Sequence, residues 1–214
     1  MDAALIQAKI NFGYSKVAQY LGVECNWYRP TPTTFIDPTT LQGTLLSTFD
    51  PKPNFGFAVP STFAHPQWYV GADRTNLLAG DYLVDPSGNT YFINILEPLT
   101  PTGAILCNAV VQIYRPGTDQ TFGNGYYGGN PSGTGTPLIA NCPCSILQGT
   151  KGEADKSGVI AEGRQPWVSI VLPITGVILE VADILIDNQG RRYELSSIET
   201  TTIGVRITAD FAGA

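Results

Sequence analysis

A stretch that occurs twice at a fixed distance constrains this chain more than any other feature. Residues 80–95 read GDYLVDPSGNTYFINI and residues 182–197 read ADILIDNQGRRYELSS. Asp81, Leu83, Val84, Asp85, Gly88, Tyr91 and Ile93 recur 102 positions later as Asp183, Leu185, Ile186, Asp187, Gly190, Tyr193 and Leu195. In each copy a short run of apolar and β-branched residues meets an Asp-x-x-Gly turn, and a second run leaves with an aromatic and an aliphatic residue two apart. That pattern predicts a β-hairpin. Asp85 and Asp187 can accept from backbone N–H groups two residues on, while Gly88 and Gly190 supply the positive φ that closes each turn. Alternation puts Tyr91 with Ile93, and Tyr193 with Leu195, on one face of their strands.

The duplication predicts an all-β chain of two tandem small barrel or sandwich units, residues 24–109 and 110–214, behind an N-terminal helical arm, residues 1–23. Two further landmarks agree. Tyr28-Arg29-Pro30 and Tyr114-Arg115-Pro116 each read as a strand stopped by proline, and Trp68 and Trp167 each stand upstream of a hairpin as an expected core anchor. Residues 104–114 and 202–211 read as closing strands, the first running on into the second unit. With 23 Gly, 16 Pro and only 14% charged residues, the composition is that of a turn-rich β protein with surface to bury against other subunits.

The arm is the one convincing helical stretch, residues 2–21. Asp2 serves as N-cap, and Ile6, Ile10, Val17 and Tyr20 fall near one stripe at helical spacing. Gly13 predicts a bend or a break into two short helices. The stripe either packs on a neighbouring subunit or partner, or folds back on its own barrel. Residues 31–66, rich in Pro, Thr and Phe, read as a poorly patterned excursion lying on a partner or neighbouring subunit. Residues 116–137 form a glycine-rich loop whose Phe122, Tyr126 and Tyr127 are candidate contacts, and residues 149–166 form a second, charged loop.

A formal charge of −6 argues against a module that grips nucleic-acid phosphates. No apolar run approaches the ~20 residues of a membrane span, and the N-terminus lacks a secretory signature, so a cytosolic product is expected. Cys25, Cys107, Cys142 and Cys144 leave three alternatives open: small buried hydrophobes, disulfides, or a four-thiolate zinc site without the usual paired spacing. Catalysis has little to stand on. His65 is the single histidine, the carboxylates Asp37, Asp50, Asp73 and Asp81 sit in turn contexts, and Asp85 and Asp187 lack the alternating oxygens of a calcium loop. No catalytic residue, cofactor or metal is assigned.

GDYLVDPSGNTYFI followed by a closing strand, and its second copy ADILIDNQGRRYEL, resemble the small barrels of head-completion proteins in long-tailed bacteriophages, and the whole layout resembles phage structural proteins that carry the same SILQGTKGE segment, here residues 145–153. Head-completion proteins are the adaptor, stopper or collar proteins of the virion neck. The resemblance covers about a third of the chain. It implies a non-enzymatic virion protein, assembled in the host bacterial cytoplasm as a cyclic homo-oligomer, a dodecamer or hexamer. Such a ring sits between a portal or adaptor protein and tail proteins, and DNA passes through it without sequence-specific binding. Other expectations from the sequence are a different virion component (baseplate, tail, decoration or receptor-binding) and a carbohydrate-binding module or hydrolase.

Overall fold

A computed structural model describes residues 2–51, 66–116, 136–148, 167–173 and 176–212. Helix α1 (Ala3–Leu21) leads into twelve strands that close into two six-stranded barrels. The first contains β1 (Val23–Tyr28), β2 (Leu41–Asp50), β3 (Gln67–Ala72), β4 (Tyr82–Val84), β5 (Thr90–Ile95) and β6 (Thr102–Leu106). The second contains β7 (Ala109–Arg115), β8 (Thr136–Gln148), β9 (Trp167–Leu172), β10 (Ile184–Asp187), β11 (Arg192–Thr201) and β12 (Gly204–Phe211). Around the first barrel the order is β1-β2-β3-β6-β5-β4, and around the second it is the same order six strands later, antiparallel throughout. The expected duplication is therefore a duplication of topology.

Correspondence reaches single residues at the hairpins. Asp85 accepts from Ser87 N and Asn89 N, and Asp187 accepts from Gln189 N and Arg191 N. Gly88 and Gly190 hold φ of 86° and 76°. The register then slips between Ile93 and Ile95 in one unit and between Leu195 and Ser197 in the other, a bulge at the same place in each. One step before each hairpin the backbone again needs positive φ. The first unit meets this with Gly80, but the second has Ala182 at φ 71°. An L-residue pays about 1 kcal/mol or more for that conformation, so Ala182→Gly is expected to raise stability by about 1 kcal/mol, read as a higher urea midpoint with unchanged slope.

Alternation divides the cores. Tyr91 and Ile93 join Cys25, Val70, Leu77, Leu83 and Ala104 in one buried cluster of the first unit. Their strand neighbours Tyr82, Phe92 and Ile105 belong to a second cluster that also contains Val111, Ile113, Ile139, Cys142, Ile170, Leu185, Leu195 and Ile207. The two units thus share a continuous apolar seam. Tyr82 Oη donates to Pro143 O at 2.7 Å across it, and Asn108 clamps Ile146 through both its side-chain groups, donating to the carbonyl and accepting from the N–H, each at 2.8 Å. Strands β6 and β7 are separate, with Cys107 and Asn108 between them, rather than one strand running through.

The helix begins at its Asp2 cap, whose carboxylate accepts from Ala4 N, and it continues unbroken through Gly13. No break occurs there. It folds back on its own first barrel, against β2 and β3. The excursion expected over residues 31–66 is also corrected: ten of its residues form β2, and Phe35 is buried edge-to-face against Tyr82. Strand β2 escaped the sequence reading because its alternation is blurred. Gly43 and Ser47 stand among its covered positions while Leu41 and Leu46 point outward. Phe49 stacks on Tyr91 with ring centroids 4.0 Å apart, so it too serves its own unit. Phe55, Phe57 and Phe63 lie outside the described residues. In the second unit, β8 takes the end of the expected glycine-rich loop and residues 145–148 of the quoted SILQGTKGE segment.

Candidate functional site

The strongest polar constellation is duplicated, and it joins the two landmarks that the sequence had left apart. Arg29 donates through Nε and Nη2 to the two oxygens of Asp81, at 3.0 and 2.8 Å, and Arg115 does the same to Asp183, at 3.0 and 3.1 Å. Each arginine also donates to a backbone carbonyl, Asn76 O or Ile178 O, and each aspartate accepts from a backbone N–H, Leu78 N or Glu180 N. The planar fork matches the carboxylate bidentately. Both aspartates are about 1% exposed. The hydrogen bond to the carboxylate holds each guanidinium's pKa above its ordinary value. The clasp ties the end of β1 or β7 to the loop leading into the hairpin. The first unit adds Trp27 Nε1 donating to Asp81 Oδ2 at 2.9 Å, where the second has an aliphatic Ile113. The signal was present: both Tyr-Arg-Pro sites and both Gly/Ala-Asp sites repeat together.

Of the other candidate carboxylates, Asp50 ends strand β2 instead of sitting in a turn, where it pairs in register with Tyr69, while the rest act in turns. Asp37 and Asp73 each accept from the N–H and hydroxyl of the threonine two residues on. Asp187 also accepts from Arg191 Nε at 2.7 Å. Burial alone would raise its pKa, but the backbone N–H and side chain of Arg191 and the N–H of Gln189 outweigh that and hold it below the ordinary value. A depressed carboxylate contributes stability that is present above its unfolded pKa and lost as pH falls through the folded one. Acid titration should therefore unfold Asp187→Asn less steeply than the wild type below about pH 4, read by circular dichroism.

All four cysteines are free. Burial pushes Cys25 up to about 11, with Asp85 adding to it and a hydrogen bond with Ser47 opposing, and burial pushes Cys142 up to about 12 against a hydrogen bond with Tyr82. Cys107 and Cys144 are also raised well above the ordinary thiol value, again chiefly by burial. Cys25 sits in the core of the first unit and Cys142 and Cys144 in the shared cluster, so the four do not converge. Among the described residues no group of three or more His, Cys, Asp or Glu could hold a metal ion. His65 lies outside the described residues.

Two kinds of surface remain. On the outside of the second barrel an open groove of about 480 Å³ is lined by Trp167, Glu199, Arg206 and Asp210 among others, with Arg206 paired to Glu199. Trp167 thus lines this groove instead of anchoring a core, unlike Trp68, which packs edge-to-face on Tyr91. The other surface is apolar. On α1, Tyr20 is 83% and Phe12 65% exposed, with Leu5 and Leu21 also outward. Of the expected helix contacts, Ile6, Ile10 and Val17 are half-buried, flanking a seat made by Gln7, Asn11, Tyr14 and Ala18. In the second unit Ile178 is 79% and Val181 64% exposed. Phe122, Tyr126 and Tyr127 lie outside the described residues. Among the described residues no helix is long and apolar enough to cross a membrane.

No protein-family model, curated protein or solved structure matches the chain.

Proposed function

We propose that the chain is a structural virion protein of a tailed phage, one subunit of a cyclic ring in the neck between portal and tail. The observation that carries this reading is the pair of exposed apolar surfaces on different units, the outward face of α1 and the Ile178–Val181 segment. A chain with two unlike sticky surfaces associates head to tail, and head-to-tail contacts close into rings when the rotation permits. The rest of the molecule supports a scaffold role: its buried carboxylates are committed to clasps and turns, and its thiols are held protonated. The net charge of −6 suits a ring that lets DNA slide through without holding it.

Labelled protein located on averaged particle images tests the reading. Density at the head–tail junction with cyclic symmetry is expected. Density at a baseplate, on the capsid shell, or nowhere on the particle would overturn it. A second reading, a carbohydrate-binding module, draws on the groove in which the indole of Trp167 lies among Glu199, Arg206 and Asp210. Saturable quenching of tryptophan fluorescence by oligosaccharides, abolished in Trp167→Ala, would favour it.

A further inference from the structure

The duplication makes the two units comparable position by position, and among the described residues one difference between them is a cover present on the first and not on the second. In the first unit the start of the β3–β4 loop and the β5–β6 loop lie beneath α1. Arg74 donates through Nε to Asn11 Oδ1 at 3.0 Å and through its other nitrogens to Thr100 O and Glu97 O, while Leu99 N donates to Gln7 Oε1 at 2.8 Å. Arg74 is only 7% exposed as a result.

At the offset that aligns the hairpins, Arg74 corresponds to Gly176, Asn76 to Ile178 and Leu77 to Leu179. The correspondence is structural as well, since Asn76 O and Ile178 O accept from the equivalent arginines of the two clasps. No helix among the described residues covers this place in the second unit. It is instead a groove of about 250 Å³ lined by Val177, Ile178, Leu179, Ile198 and Val205. A Cβ added at Gly176 would meet nothing within 4 Å. Where the first unit places a polar arginine that reaches for its helix, the second has Gly176, with the exposed Ile178 and the half-buried Leu179 and Ile198 beside it.

We infer that this groove is a helix seat filled by α1 of a second copy of the chain, so that α1 is held between its own first unit and the second unit of its neighbour. The inference rests on the ring reading and names its contact. The face of α1 that meets its own barrel carries Gln7, Asn11, Tyr14 and Ala18, which leaves Leu5, Phe12 and Tyr20 outward. Aromatic and aliphatic side chains on that face match an aliphatic groove of this size. Charge also agrees. The same outward face carries Lys9 and Lys16, giving residues 1–23 a net charge of +1, whereas residues 110–214 sum to −3. Glu180 and Glu199, each more than half exposed and paired to Arg115 and Arg206 within the unit, adjoin the lining residues Leu179 and Ile198 in sequence. Steering of a basic helix toward an acidic unit favours this pairing over two helices meeting each other.

The contact uses different surfaces on its two sides, and that gives a decisive test. Phe12→Glu spoils the helix face and keeps the seat; Ile178→Glu spoils the seat and keeps the helix face. Both side chains are mostly exposed, so both variants should melt with the wild type. In native mass spectrometry of the full chain, across the range of soluble concentrations, the wild type is expected as a closed oligomer and each variant alone as a monomer. Their equimolar mixture is expected to give a dimer and nothing larger, because each pair contains one intact helix face against one intact seat and has no further intact contact to offer. A mixture that stays monomeric, or a single variant that still assembles like the wild type, would overturn the helix–seat pairing. So would a wild type that is monomeric throughout. None of these results touches the ring reading, which particle imaging decides on its own. If Ile178→Glu leaves copy-to-copy assembly intact but abolishes attachment to particles, the seat belongs to a different virion protein and the inference fails.

Discussion

Asp81→Ala is expected to cost about 3–5 kcal/mol of unfolding free energy, more than any surface substitution in the chain. The carboxylate accepts from Trp27 Nε1, from two nitrogens of Arg29 and from Leu78 N, and its side chain is 2% exposed. Removing it strands an indole N–H, a backbone N–H and part of a guanidinium in a place where water reaches poorly. Each buried neutral donor left alone costs about 1–3 kcal/mol. Arg29 is about one-third exposed and recovers some hydration, which keeps the loss from running higher. Asp183→Ala removes the same clasp without an indole partner, since Ile113 stands in place of Trp27. Its cost should be smaller, about 2–4 kcal/mol. Urea denaturation followed by far-ultraviolet circular dichroism measures both. Losses within about 0.5 kcal/mol of zero would mean that the clasps do not hold the hairpins to β1 and β7, and equal losses would mean that the Trp27 indole adds nothing.

Tyr82→Ala should cost about 3–5 kcal/mol and also change the shape of the transition. Tyr82 is wholly buried, lies edge-to-face on Phe35 and near Phe92, and reaches Pro143 of the other unit with its hydroxyl. It is therefore both core and bolt. With the seam intact the two units should unfold together, because they share one apolar cluster. Emptying the seam should separate the transitions, with the first unit melting earlier. Tyr82→Phe isolates the hydroxyl. It keeps the ring contacts, leaves the carbonyl of Pro143 with the weak Cys142 thiol in place of its hydroxyl donor, and should cost about 1–2 kcal/mol with a single transition retained. Calorimetry distinguishes the outcomes. A single transition in Tyr82→Ala would show that the seam does not couple the units.

How far the fold could be read depended on what each residue had to do locally. The hairpins were legible because Asp85 with Gly88, and Asp187 with Gly190, satisfy a turn within five residues, a demand that tertiary context does not alter. The helix start was legible for the same reason, through the Asp2 cap. Strand β2 was not, because closing a barrel asks only that its inward positions be small enough. Gly43 and Ser47 meet that demand without an apolar period. Gly13 carried no break because the helix lies on β2 and β3, whose contacts outweigh about 1 kcal/mol of propensity. The clasps were half legible: both members repeated in the sequence, but their pairing spans 52 and 68 residues, a separation that only the barrel's closure brings together. The helix seat was invisible, since its evidence is a difference between two folded units.

Closure has one more consequence. Because each six-stranded ring returns on itself, no strand among the described residues stands at an open end of its sheet, although β2 and β11 run past their shorter neighbours on one side. Neighbours are therefore expected to meet chiefly through side chains. Such contacts can form and part without unzipping any backbone ladder, and among the described residues no sheet has an end strand from which cross-β growth would start.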